Sequence, residues 1–156
     1  MPSISSRRPY RVGRSKTGLG LFATKLIRKG SFIIRYTGRK LRNKIADGLD
    51  TKYLFEVNAR WTIDGSSRQN IARYINHSCK PNAETDIKKH KILISAIKNI
   101  YPGDEITYNY GRDYFTAFIK DKGCRCMACH QKRMVLRSEA RKRRERRAKR
   151  KTKSKS

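Results

Sequence analysis

The chain has 156 residues, enough for about one domain with a single modest core, and its 40 Lys and Arg against 12 Asp and Glu give a formal net charge of +28. A charge of that size says nothing about fold, but it draws a protein to polyanions: nucleic acid, ribosomes, chromatin or an acidic membrane surface. No stretch approaches ~18 consecutive apolar residues and the first residues lack an apolar signal run, so the expectation is a soluble, intracellular protein without a membrane span.

In chain order, Phe32-Ile33-Ile34 reads as a strand that ends at Thr37-Gly38. A helix is expected over about Arg39–Leu49. Tyr53–Val57 (YLFEV) and Trp61–Ile63 (WTI) are rich in β-formers. Lys91–Ile97 (KILISAI) and Ile106–Tyr110 (ITYNY) come close to strict alternation. Turn signals separate these runs at Asp64-Gly65, Lys80-Pro81-Asn82 and Pro102-Gly103-Asp104. Residues 132–151 contain no Gly or Pro and read as a helix, although the only apolar cluster there is Met134, Val135 and Leu136. The last five residues, TKSKS, are expected to be disordered. The class is mainly β, one domain, with a basic C-terminal extension.

Four segments carry chemistry. Two glycines in Thr17-Gly18-Leu19-Gly20 allow a ligand to approach the backbone, or simply make a turn between strands. In Arg73-Tyr74-Ile75-Asn76-His77-Ser78-Cys79-Lys80-Pro81-Asn82, three successive polar side chains need partners if buried, so the segment is either a self-bonded polar loop or a ligand site. Tyr108 and Tyr110, at i and i+2, face one side of a strand and either pack in a sheet or line a narrow slot. Cys124, Cys126 and Cys129 offer three corners of a tetrahedral zinc site. The fourth ligand is open between Cys79, the only other cysteine, and the neighbouring His130.

The ordered set GLGLFA, YTG, YLFEV, IDG, NIARYINHSCKPN, EITYNYG and a cysteine cluster resembles the SET-domain protein lysine methyltransferases over about Arg11–His130. The likeness is greatest to the compact bacterial members. It implies a SET (β-clip) fold of several small sheets with a knot-like crossing of the NHSC and EITYNYG segments. It divides the chain into a SET domain at 8–116, a post-SET zinc segment at 117–131 and a basic tail at 132–156. It implies catalytic roles for Tyr110, Tyr108 and Tyr36, with Tyr108 at the position that restricts further methylation. S-adenosylmethionine would be held by Thr17, Gly18, Leu19, Gly20, Tyr53, Arg73, Asn76, His77 and Tyr110, and structural zinc by Cys79, Cys124, Cys126 and Cys129. Three features depart from the family: the short CxCxxC spacing, Leu19 where Trp is often found, and the tail, which has no counterpart in the motif set.

The implied reaction moves a methyl group from S-adenosylmethionine to a lysine of a basic protein (a histone, a histone-like nucleoid protein or a ribosomal protein), giving mono- or dimethyl-lysine. The alternative is a non-catalytic, zinc-stabilised nucleic-acid-binding protein that retains the fold. The tail holds 14 of the 40 basic residues and 2 of the 12 acidic ones, so nucleic acid is the expected partner and a membrane is not. The expected setting is nucleoid or cytoplasm in a bacterium, and nucleus or chromosome in a eukaryote or an invaded host cell.

Overall fold

The computed structural model describes residues 8–153, and side chains as far as residue 151. Among the described residues ten short strands form three small sheets, as the β-rich runs of the first 110 residues lead one to expect. Strands β1 (Tyr10–Ser15) and β2 (Gly18–Ala23) form a hairpin, joined through β2 to β10 (Glu105–Tyr108) and then to β7 (Asn76–His77). A second sheet has the order β3 (Phe32–Tyr36), β9 (Lys91–Ala96), β8 (Ala83–Lys88). A third has the order β4 (Arg39–Arg42), β6 (Trp61–Asp64), β5 (Leu54–Asn58). Helical elements are the single turn α1 (Asn43–Ala46), a 3-10 turn at Ile71–Tyr74, α2 (Arg112–Tyr114) running into a π-turn at Phe115–Ile119, and α3 (Met127–Lys153). Among the described residues no helix is long and apolar enough to cross a membrane.

Period-two patterning sets the core. Ile92, Ile94 and Ala96 of β9 point inward to meet Leu21, Ile75, Ile100 and Ile106, all fully or almost fully buried. Each of these larger side chains contributes about 1.5–3 kcal/mol on leaving water.

The expected helix over Arg39–Leu49 is mostly a strand. Arg39–Arg42 pairs antiparallel with β6, Arg39 opposite Asp64 and Arg42 opposite Trp61, and only Asn43–Ala46 turns helically. Long-range pairing with a β-rich partner outweighs the local helix preference of that stretch. Strands β1, β2 and β8 went unrecognised in sequence, and β2 occupies the segment whose glycines had read as a turn. The basic helix extends beyond its expected bounds at both ends and starts inside the cysteine cluster. It covers the first two of the five residues expected to be disordered; residues 154–156 lie outside the described part of the chain.

Two details position the site. Strand β7 pairs in parallel with β10, Asn76 beside Thr107 and His77 beside Tyr108. The segment that follows stays on β10: Ser78 N–H donates to Tyr108 O (3.1 Å), and Asn82 Oδ1 accepts from Thr107 N–H (2.8 Å). Buried Asn70 ties together the two loops around Tyr36, its Oδ1 accepting from Thr37 N–H and its Nδ2 donating to Gly65 O, each at 3.1 Å. Gly65 lies against the Tyr36 ring so closely that a Cβ there would overlap it.

Candidate functional site

Three groups of side chains meet around the parallel pair of β7 and β10. The first lines a cleft of about 490 Å³ between the β1–β2 turn, β7 and the start of α3. Thr17, Asn76 and His77 line it, together with Met127 and Gln131 of α3. Leu19 stands 54% exposed at the rim of the sheet, where its carbonyl accepts from Asn76 Nδ2 at 2.9 Å. The second Asn76 N–H goes to Glu105 Oε1 (2.7 Å), so Oδ1 is the acceptor this side chain can offer a ligand. Glu105 also accepts from Ser15 Oγ at 3.0 Å, and it packs where a side chain at Gly20 would stand. Sequence reasoning missed Glu105; its opening position in EITYNYG was the only signal.

The second group is aromatic. The Tyr110 ring meets Tyr108 at 5.0 Å between centroids and Tyr114 edge-on at 4.7 Å, and Tyr114 meets Phe118 at 4.7 Å. Tyr36 packs on Phe55 at 5.5 Å and donates to Tyr53 O at 2.8 Å. Tyr110 donates its hydroxyl proton to Ile75 O at 2.5 Å. Burial raises the phenol pKa of Tyr36, Tyr108, Tyr110 and Tyr114 above its ordinary value, and neighbouring phenols push in the same direction. All four are therefore neutral at physiological pH. Because the protons of Tyr36 and Tyr110 are committed to backbone carbonyls, their oxygens retain only acceptor capacity. Arg73 stacks on Tyr53 at 4.1 Å and on Tyr74 at 5.5 Å, bonds to the Ser66 carbonyl, and keeps a buried Nε without a protein partner. Tyr114 and Phe118 had escaped notice, although their i, i+4 spacing is the pattern of one helical face.

The nine candidate cofactor residues thus divide. Thr17, Asn76 and His77 line the cleft, Gly18 to Gly20 run beside it in β2, and Tyr53, Arg73 and Tyr110 belong to the aromatic side.

The third group is the cysteine cluster. The Sγ atoms of Cys79, Cys124, Cys126 and Cys129 all lie within 4.8 Å of one another, with Cys79 at 3.8 Å from Cys124 and 3.6 Å from Cys129. Four thiolates about 2.3 Å from one zinc ion would stand about 3.8 Å apart, so the set fits a tetrahedral ion with every position filled by protein. Among the described residues His130 is not part of this cluster. Burial acts to raise the Cys126 thiol, but backbone N–H groups of Cys79 and Cys129 and side-chain bonds from Cys124 and Cys129 outweigh it and bring the pKa down to about 6. Burial and the surrounding thiols push Cys79 up.

His77 joins the second and third groups. Its Nδ1 accepts from Tyr110 N–H at 3.2 Å, which places the proton of the neutral ring on Nε2, 3.5 Å from Cys79 Sγ. Burial lowers its pKa and favours that neutral form. With both ring nitrogens engaged, His77 has only its main chain to offer a ligand in the cleft.

Comparison with known proteins gives this arrangement a family. The SET-domain family model matches residues 18–111. The chain is similar to a histone-lysine N-methyltransferase, H3 lysine-4 specific, of Aspergillus oryzae (36% identity; 67% of this chain, 10% of the relative). It is also similar to the protein of the same name in Schizosaccharomyces pombe (39% identity; 59% and 11%). It spans about a tenth of the length of these relatives. Among solved structures it resembles ctPRC2 in an autoinhibited conformation bound to S-adenosylmethionine (31% identity, TM-score 0.61, 67% of this chain and 15% of that one). The family model spans more than half of the chain, from the β2 glycines through Tyr110, and the protein belongs to the SET-domain family.

Proposed function

We propose that the protein is an S-adenosylmethionine-dependent protein-lysine N-methyltransferase whose substrate is a histone or a similarly basic protein. One observation carries the reading: a cluster of buried and half-buried neutral phenols adjoins, through His77 and Tyr110, a cleft large enough for a nucleoside. The family membership, the names of the relatives and the S-adenosylmethionine held by a structural neighbour support it. The non-catalytic alternative leaves the phenol cluster without a purpose.

S-adenosylmethionine in the cleft supplies an electrophilic methyl group on a sulfonium. The chain's own residues do the rest. In this reading Tyr36, Tyr108 and Tyr110 line the lysine channel; their phenols stay neutral, and such a lining disfavours the ammonium form of an entering lysine and lowers its pKa from the usual ~10.4. The acceptor oxygens of Tyr110 and Tyr36 hold the neutral amine by its N–H groups and aim its lone pair. In-line attack then depends on positioning rather than on a charged base. Tyr108, nearly fully buried beside Tyr110, occupies space that added methyl groups would need, which favours mono- or dimethylation. Asn76 and Thr17 are assigned to the cofactor, and the four cysteines to structural zinc.

The working division is 8–116 as the catalytic body, 117–131 as the metal segment and 132–156 as the basic tail, which contacts nucleic acid. The relatives named above point to a nuclear, chromatin setting. They lend nothing to a bacterial or exported one.

The test is label transfer from S-adenosylmethionine to histone octamers, free histone H3, nucleoid proteins and ribosomal proteins. Methyl-lysine on one of these, lost on Asn76→Ala together with cofactor binding, is the expected result. A protein that binds no S-adenosylmethionine would end the proposal.

A further inference from the structure

The most basic part of the chain is α3, but a second cationic surface lies on the catalytic body, at the meeting of two hairpin tips. The first tip is the β8–β9 turn. Lys88 pairs with Lys91, leaving a two-residue loop of Lys89 and His90 with φ of 47° and 60°. Loops with both φ positive strongly favour Asn-Gly, because a Cβ is strained there. Two bulky residues hold this conformation instead, and such outliers concentrate where the side chains are needed for contact. The second tip is the β5–β6 turn around Asn58, Ala59 and Arg60. Asn58 Oδ1 accepts from Arg60 N–H (2.9 Å) and Trp61 N–H (3.1 Å), which turns its Nδ2 toward His90 Nδ1 at 3.2 Å and locks the two tips together.

The surface continues onto β4 and β6. Trp61 carries two cations on its ring, Arg42 at 4.2 Å and Lys40 at 4.4 Å from the centroid. Lys40, Arg42, Arg60, Lys88, Lys89 and Lys91 are all exposed, and the acid paired with one of them is Asp86, 3.1 Å from Lys88. Two cations on the Trp61 ring and four more on the two joined tips, with one paired acid among them, present a run of positive charge suited to a nucleic-acid backbone, which carries about one phosphate per 1.7 Å of duplex. They match it better than the sparser charge of an acidic peptide.

We propose that this surface, formed by the 88–91 and 58–61 tips with Lys40 and Arg42, is a docking site for the backbone of duplex DNA, separate from α3. Contact of this kind seats the catalytic body on the nucleic acid that carries its protein substrate, while α3 adds sequence-independent affinity. The substrate class rests on the methyltransferase reading, but the binding itself does not, so the two fail separately.

Trp61 is the only tryptophan in the chain and reports on this surface directly. The full-length protein is titrated with a fluorescein-labelled duplex of about 20 base pairs. Anisotropy is followed for total binding, and Trp61 emission is followed with the unlabelled duplex. The expected result is a change in Trp61 emission that tracks binding and is reversed by salt. The variant Arg60→Gln/Lys89→Gln/Lys91→Gln should bind about tenfold more weakly at moderate salt, with a log–log salt slope shallower by roughly two to three. A matched variant, Arg28→Gln/Lys29→Gln/Lys98→Gln, neutralises three cations near the far end of β9 and should lose much less. Duplex binding that leaves Trp61 emission unchanged, or equal losses in the two variants, would overturn the proposal. So would selective competition by polyglutamate at the same charge concentration, which would indicate an acidic protein partner instead.

Discussion

The phenol cluster and the cysteine cluster sit at the two ends of the His77 ring, and fold chemistry holds them in different ways. The phenols are positioned by the finished fold: Tyr36 by Gly65 and the Tyr53 carbonyl, Tyr110 by the Ile75 carbonyl and by Tyr114. They are neutral and need no ion. The thiols come from two distant stretches, Cys79 and the 124–129 segment; backbone N–H groups favour ionised Cys126, and a shared cation would offset the charge of the full set. In the proposed reading, chemistry resides in the part that the sheets build, while a metal held by the thiols would fix how the C-terminal segment and α3 close over it.

The largest expected effect is on the metal side. Stripping zinc with a chelator should lower the melting temperature by about 10 °C or more and release the cleft wall supplied by Met127 and Gln131, seen as loss of S-adenosylmethionine binding in calorimetry. A chelated protein that melts unchanged would separate the two ends entirely. Next in size is Gly65→Ala, which drives a methyl group into the Tyr36 ring. It should cost about 1–3 kcal/mol in denaturant unfolding and reduce turnover, with zinc content unaffected. Alkaline titration follows. Burial raises the phenol pKa in the fold, so the folded state keeps protons that the unfolded chain releases. Stability linked to these groups is fully present below the unfolded value of ~10 and falls as pH rises above it, measurable as a falling denaturation midpoint. The smallest effect is on product distribution. Tyr108→Phe should leave stability within about 1 kcal/mol and shift mass-spectrometric products toward higher methylation.

The unequal legibility of these parts in sequence has physical causes. Tyr108, Tyr110, Asn76 and the cysteines stood out because each lies in a short segment with unusual residue chemistry, Tyr36 was reached only through the family resemblance, and the mainly β class followed from alternating apolar runs. Glu105 and Tyr114 did not stand out, since their importance comes from neighbours supplied by Gly20, Asn76 and Tyr110 across the fold. Residue types alone left Cys79 and His130 both open as the fourth ligand, and the family resemblance pointed to Cys79. Only the parallel pairing of β7 with β10 carries Cys79 to the thiols, while His130 turns with α3 and stays out of the cluster. The misread Arg39–Leu49 stretch shows the same dependence, because its strand exists through β6.

The claim that neutral phenols perform the positioning is tested most directly by Tyr110→Phe. This change removes one oxygen and keeps the ring packing against Tyr108 and Tyr114. Single-turnover methylation of a basic protein substrate is measured beside the calorimetric Kd for S-adenosylmethionine. The account predicts a rate lower by on the order of 100-fold with a Kd changed less than about threefold. An unchanged rate, or a lost rate explained wholly by lost cofactor binding, would contradict it.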